Sequence, residues 1–197
     1  MNWMDNDPLF KRLLQEGHDW EGYVAHAIGL HGVDVSWKDK LSVRECLAHV
    51  ERYANEKDIV ITSGPHRGEF LEVKSRGFAF GEEPWAYPYQ DTFIESVGST
   101  LGRTCGMPLY WVLVSRETGS MLSLARATFA RWQVRSDIHD KVRDIVGDPT
   151  WTCDKSLLSG FWNMIADLGG RLPGSSAVEP SPVKRPRAGS IPAPAAT

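Results

Sequence analysis

Trp20, Tyr23, Val24, Ala27 and Ile28 recur three and four residues apart. That is the spacing of one helix face, and it predicts an amphipathic helix over 18–30 that stops at His31-Gly32. The pattern then becomes extended. Gly32-Val33-Asp34-Val35 reads as a short strand, and Asp58-Ile59-Val60-Ile61 as a second, β-branched after an acidic start. Glu69-Phe70-Leu71-Glu72-Val73-Lys74 alternates polar with apolar, and the Gly- and Pro-containing turn at 62–68 joins these two runs into a hairpin. Val43, Leu47, Val50 and Ala54 are at helical spacing and predict an inserted helix ahead of it.

Further along, Phe93, Ile94, Val97 and Leu101 predict a helix over 89–103. Leu109-Tyr110-Trp111-Val112-Leu113-Val114 is continuously apolar, as a strand covered on both faces should be. Met121-Leu122-Ser123-Leu124-Ala125 follows a turn at 117–120 and reads as another strand. Beyond the break at Asp148-Pro149, Leu157, Leu158, Phe161, Trp162 and Ile165 predict a last helix within 155–168. It would pack on the sheet or provide a surface for a homo-oligomer. The fold class expected from this order is α/β, with a central mixed β-sheet flanked by helices.

With 42% hydrophobic residues, the 197-residue chain can bury a sizeable core, and one domain over 1–172 is expected. Residues 173–197 hold six prolines and one acid, and cannot build a core. Their Lys184-Arg185-Pro186-Arg187 run reads as a solvated linker end or as a weak, nonspecific contact for DNA. A net charge of −3 does not exclude a nucleic-acid partner, because one basic patch or a bound cation suffices locally. Cys46, Cys105 and Cys153 are odd in number and widely spaced, which indicates neither a disulfide framework nor a zinc site. Neither a membrane span nor a secretory signal is legible, so cytoplasmic residence is expected.

The hairpin carries the chemistry. Glu72 and Lys74 are two apart on one strand and share a face, while Leu71 and Val73 point into a core. Asp58 and Glu72 are suited to a hard divalent ion such as Mg²⁺, with the Val73 carbonyl as a further oxygen ligand. Lys74 would orient the attacking water and stabilise developing charge, and desolvation would lower its pKa toward base chemistry. Upstream, Glu21 precedes Val24 and Ile28 by three and seven residues, so it borders the inward stripe of its helix and is either a third carboxylate of the site or a solvated side chain.

The order of a helix carrying Gly17-His18-Asp19-Trp20-Glu21, the Gly32–Val35 strand, Asp58 and then Glu72-Val73-Lys74 resembles the PD-(D/E)XK nuclease superfamily. The resemblance covers roughly residues 17–115. Lys57 stands where the signature has its proline. What the resemblance implies is a restriction endonuclease-like core and DNA cleavage dependent on Mg²⁺, for which Mn²⁺ substitutes, in a bacterial cell or phage-infected host. It places Glu21, Asp58, Glu72 and Lys74 in catalytic roles, with Asp58, Glu72 and Val73 on the metal. The competing expectation is a noncatalytic nucleic-acid- or protein-binding module that has kept the fold.

Candidate substrate contacts lie outside the hairpin. The 77–87 loop holds Phe78, Phe80, Trp85 and Tyr87, rings that either stack on unpaired bases or seal the core; Trp85 is the candidate contact among them. Gln90 would face the metal site across a cleft or cap the following helix. Arg126 and Arg131, with Arg135 and Trp132, would either meet phosphates or form a solvated face.

Overall fold

Across the 62–68 turn, Ile59–Ile61 and Phe70–Arg76 pair antiparallel, so the expected hairpin is present. The computed structural model describes residues 8–37, 57–137, 139–140 and 145–174. In chain order the strands and α-helices are α1 (Pro8–Leu30), β1 (Val35–Ser36), β2 (Ile59–Ile61), β3 (Phe70–Arg76), β4 (Asp91–Ser96), α2 (Val97–Gly102), β5 (Tyr110–Ser115), β6 (Met121–Ala125), β7 (Gln133–Arg135), β8 (His139–Asp140), β9 (Ile145–Val146), β10 (Thr150–Asp154), β11 (Ser159–Gly160) and α3 (Phe161–Asp167). Short 3-10 turns occupy Pro84–Ala86, Arg126–Arg131 and Lys155–Leu157. The helix expected over 43–54 and the basic run at 184–187 lie outside the described residues.

The main sheet is mixed, in the order β1-β2-β3-β5-β6-β11. Its neighbours run antiparallel except β3 and β5, which are parallel. A parallel step requires a crossover, and residues 77–109 supply it. On one face of the sheet, Ile59, Ile61, Leu71, Val112 and Val114 bury against Trp20, Val24 and Ile28 of α1 and Phe161, Met164 and Ile165 of α3. Each such side chain fully removed from water stabilises by about 1.5–3 kcal/mol, so this shared core, rather than helix propensity, holds both helices.

The other face is covered differently from the expectation. Trp111, Leu113, Leu122 and Leu124 pack against Phe80, Tyr87, Ile94, Trp132, Cys153, Leu157 and Leu158. Ile94 and Cys153 belong to a second, three-stranded antiparallel sheet, β4-β10-β7. The helix predicted over 89–103 is therefore the strand β4 followed by the six-residue α2. A β-bulge gave the misleading spacing. Phe93 pairs with Thr152 and Ser96 with Thr150, so Ile94 and Glu95 together oppose Trp151 and both turn inward. Two adjacent buried positions imitate a helical stripe, yet Phe93 and Leu101 are exposed.

The last helix starts later than the sequence pattern suggested, because 155–160 form a 3-10 turn and β11 before α3 begins. No helix of the described residues is long and apolar enough to cross a membrane.

Candidate functional site

The site forms where β2 stops and β3 continues. β2 pairs with β3 through Ile59–Leu71 and Val60–Phe70, and Asp58 immediately precedes it. Asp58 Oδ2 accepts the N–H of Val73 at 2.9 Å, in the place of the bond that a longer β2 would have made. Main-chain groups alternate along a strand. Glu69 O accepts from Ile61 N on the β2 side, whereas Phe70 O accepts from Leu109 N on the β5 side. Val73 shares the parity of Glu69, so its carbonyl leaves on the same edge as its N–H, the edge that Asp58 occupies.

Glu72 and Lys74 project from the same face of β3 and meet. Lys74 Nζ donates to Glu72 Oε1 at 2.6 Å, and Arg103 Nη2 donates to the same oxygen at 2.7 Å. Arg103 Nη2 also reaches Glu95 Oε2 at 2.8 Å, and Lys74 Nζ lies 3.5 Å from that atom. Glu95 is held from behind, because its Oε1 accepts Trp111 Nε1 at 3.2 Å and Thr100 Oγ1 at 3.1 Å. The β4 bulge turns Glu95 inward, and α2, capped by Ser96 Oγ on Ser99 N, carries the chain on to Arg103.

The side chains of Glu72 and Arg103 are each 9% exposed, that of Glu95 4% and that of Lys74 23%, so water reaches the cluster most readily at the lysine. Burial pushes the Glu72 carboxyl up, but Lys74 and Arg103 outweigh it and hold Glu72 below the usual carboxylate range. For Lys74, burial favours the neutral amine. Glu72, Glu95 and Asp58 more than offset that and keep its pKa above the ordinary lysine range. The expected lowering by desolvation is therefore reversed in direction by the three carboxylates. Arg103 is likewise raised, with Glu72, Glu95 and Asp58 overcoming burial. Three carboxylates thus act on two cations, a formal charge of −1.

Glu21 is buried on α1, the helix whose Trp20, Val24 and Ile28 pack against Leu71 of β3. Gln90 donates through Nε2 to Asp154 Oδ2 at 2.5 Å, which ties it to β10. Arg126 is occupied by a two-pronged ion pair to Glu69, at 2.9 and 3.1 Å, and by the Met107 carbonyl. Arg131 is exposed at the end of its 3-10 turn, and Trp132 is a core residue. The aromatic loop divides: Phe80 and Tyr87 seal the core, whereas Trp85 is 77% exposed.

Two members of the cluster, Glu95 and Arg103, were not singled out from sequence. No polar–apolar alternation marks the strand there, because the buried Thr92 is polar and the exposed Phe93 apolar, so Glu95 had no face assigned to it. Among the described residues no group of three or more His, Cys, Asp or Glu side chains is arranged to hold a metal ion. Comparison with protein-family models, curated proteins and solved structures gives no match.

Proposed function

We propose that this chain is a divalent-metal-dependent nuclease of the PD-(D/E)XK type that hydrolyses DNA phosphodiester bonds. The observation that carries the reading is the bond from Val73 N–H to Asp58, which fixes the aspartate beside the Glu72-Val73-Lys74 segment. The sheet supports it in outline, since it is mixed, flanked by helices, and runs β3 parallel to β5.

The donor set suits Mg²⁺ by its chemistry: the Asp58 and Glu72 carboxylates and the Val73 carbonyl are hard oxygens, in a cluster of net negative charge. Two carboxylates are enough, because Mg²⁺ keeps several waters and takes substrate phosphates as ligands. The ion would supply Lewis acidity and a more acidic water. Lys74, held as an ammonium, stabilises charge on the phosphoryl oxygens and orients a water through its N–H donors; proton removal falls to another group. Glu72 positions Lys74, and Glu95, braced by Trp111 and Thr100, fixes the far side of the cluster.

A second reading is a noncatalytic nucleic-acid- or protein-binding module. It is favoured by the occupancy of Glu72 Oε1, which already takes both Lys74 and Arg103. Incubation of the protein with circular, linear and branched DNA, in Mg²⁺ or Mn²⁺ against chelator, separates the two. Cleavage that requires the ion and is lost in Lys74→Ala and Asp58→Asn supports the nuclease. Equal cleavage by all three proteins, or none by the wild type, overturns it.

A further inference from the structure

Arg103 spends only half of its guanidinium. Nη2 serves Glu72 and Glu95 at 2.7 and 2.8 Å, whereas Nη1 is buried and has no hydrogen-bond partner among the described residues. The side chain is 9% exposed, and burial of a charged donor without an acceptor is costly, so such donors are rare unless something else completes them. Nη1 and Nη2 share one planar carbon. The unspent donor is therefore fixed within the same cluster as Lys74, a few ångströms from the oxygen that Lys74 and Nη2 share. A planar fork with one prong anchored and one free matches an oxyanion that brings its own acceptor, and phosphate is the oxyanion to which arginine is best matched.

We infer that Arg103 is a substrate-binding residue whose Nη1 donates to a non-bridging phosphate oxygen of the DNA, while Glu72 and Glu95 hold Nη2 and set the plane of the fork. The assignment rests on the nuclease reading, because three carboxylates against two cations repel a phosphate until a divalent ion reverses the local charge. The segment that carries Arg103 lies at the surface: Leu101 is 72% exposed, and Gly102, Thr104 and Gly106 are exposed with it. Arg103 adjoins neither Asp58 nor the Glu72-Val73-Lys74 element in sequence, and the β4–α2 crossover delivers it.

Binding of a fluorescein-labelled duplex oligonucleotide, followed by anisotropy in Ca²⁺ over a series of salt concentrations, tests the assignment without relying on turnover. For Arg103→Gln, affinity falls about tenfold, and the slope of log affinity against log salt shrinks by about 0.9, as for the loss of one phosphate contact. Arg103→Lys keeps the charge and the slope. It still binds several-fold more weakly, because an ammonium that stays on the two carboxylates has no second prong. If Arg103→Gln is unfolded by circular dichroism, Arg103→Lys decides alone. Affinity and slope equal to wild type in the folded variants would mean that Arg103 merely braces Glu72 and Glu95, and overturns the inference while leaving the nuclease reading intact. Wild-type protein that shows no ion-dependent binding overturns both.

Discussion

Asp58 and Val73 are joined side chain to main chain at 2.9 Å across the point where β2 ends and β3 runs on. The bond gives the aspartate two separable roles, one as an acceptor for a strand edge and one as a negative charge beside Glu72 and Lys74. Asp58→Asn retains a side-chain carbonyl for the Val73 N–H and loses only the charge. Its unfolding free energy should stay within about 1 kcal/mol of wild type, while ion-dependent DNA cleavage falls by at least about 10²-fold. Asp58→Ala loses both and should in addition be destabilised by about 1–3 kcal/mol in urea unfolding, the cost of a donor left without its acceptor.

Lys74 stays protonated because Glu72, Glu95 and Asp58 together overcome its burial. Its folded pKa lies above the unfolded value near 10.5, so its ion pairs contribute stability that is fully present below that pH and is lost as pH rises through the folded pKa. Two outcomes follow from the sign. The pH–rate profile of cleavage should carry no limb from Lys74 between pH 6 and 9, roughly the span in which a base would titrate. Melting temperature should fall at strongly alkaline pH in wild type and less so in Lys74→Met. A lysine-dependent rise in rate near neutrality would show that the amine works as a base.

Glu72 shifts in the opposite sense. Lys74 and Arg103 hold it below its ordinary value of 4.5, despite burial, so its contribution is present above that pH and disappears as pH falls through the lower folded value. Urea unfolding from pH 7 down to pH 3 should therefore show a larger loss of stability in wild type than in Glu72→Gln, the variant being weaker at pH 7 and losing less with acid. Parallel curves for the two proteins would place the acid-sensitive group elsewhere, with Glu69, held low by Arg126, as the next carboxylate to examine.

How far the chain could be read in advance depended on how local the determinants were. Ile59-Val60-Ile61, the 62–68 turn and the alternation at 69–74 contain their own pairing instructions, and the hairpin with its Glu72–Lys74 face came out as expected. β5 likewise needed only its unbroken apolar run. β4 was different, since its partner β10 lies some 60 residues downstream and its bulge put Ile94 and Glu95 on one side. Without the strand there is no reason to bring Glu95 under Trp111, and without Glu95 there is no reason to single out Arg103. Asp58, Glu72 and Lys74 were legible because β2 and β3 adjoin in sequence; the other half of the cluster is a product of tertiary pairing.

Trp85 is the one ring of the 77–87 loop that is largely in water, whereas Phe80 and Tyr87 are spent on the core. Trp85→Ala should consequently leave the unfolding free energy within about 0.5 kcal/mol of wild type, as surface substitutions do. If the indole stacks on a base, affinity for single-stranded DNA in Ca²⁺ should fall by about 1–3 kcal/mol, read by anisotropy. Unchanged affinity would remove Trp85 from the substrate contacts and leave the loop a purely structural cover. Phe80→Ala provides the contrast, because a core aromatic lost there should cost about 3–5 kcal/mol of stability.

Glu95 gives the sharpest test of the cluster as a unit. Its two oxygens are divided: Oε1 takes Trp111 and Thr100, and Oε2 takes Arg103 and faces Lys74. Glu95→Gln can satisfy one pair, but its amide N–H₂ then meets the other donor against donor, either the guanidinium and ammonium or the Trp111 N–H. Removal of one partner from a buried ion pair typically costs about 3–5 kcal/mol, far more than the pair's net worth, because the remaining charges lose their compensation. Urea unfolding should show a loss of that order for Glu95→Gln. The double variant Glu95→Gln with Arg103→Gln should recover part of it, since the amide no longer opposes a fixed cation. Additive losses in the double-variant cycle would mean that Glu95 and Arg103 act independently, and that the short contacts between them do not carry the energy assigned here.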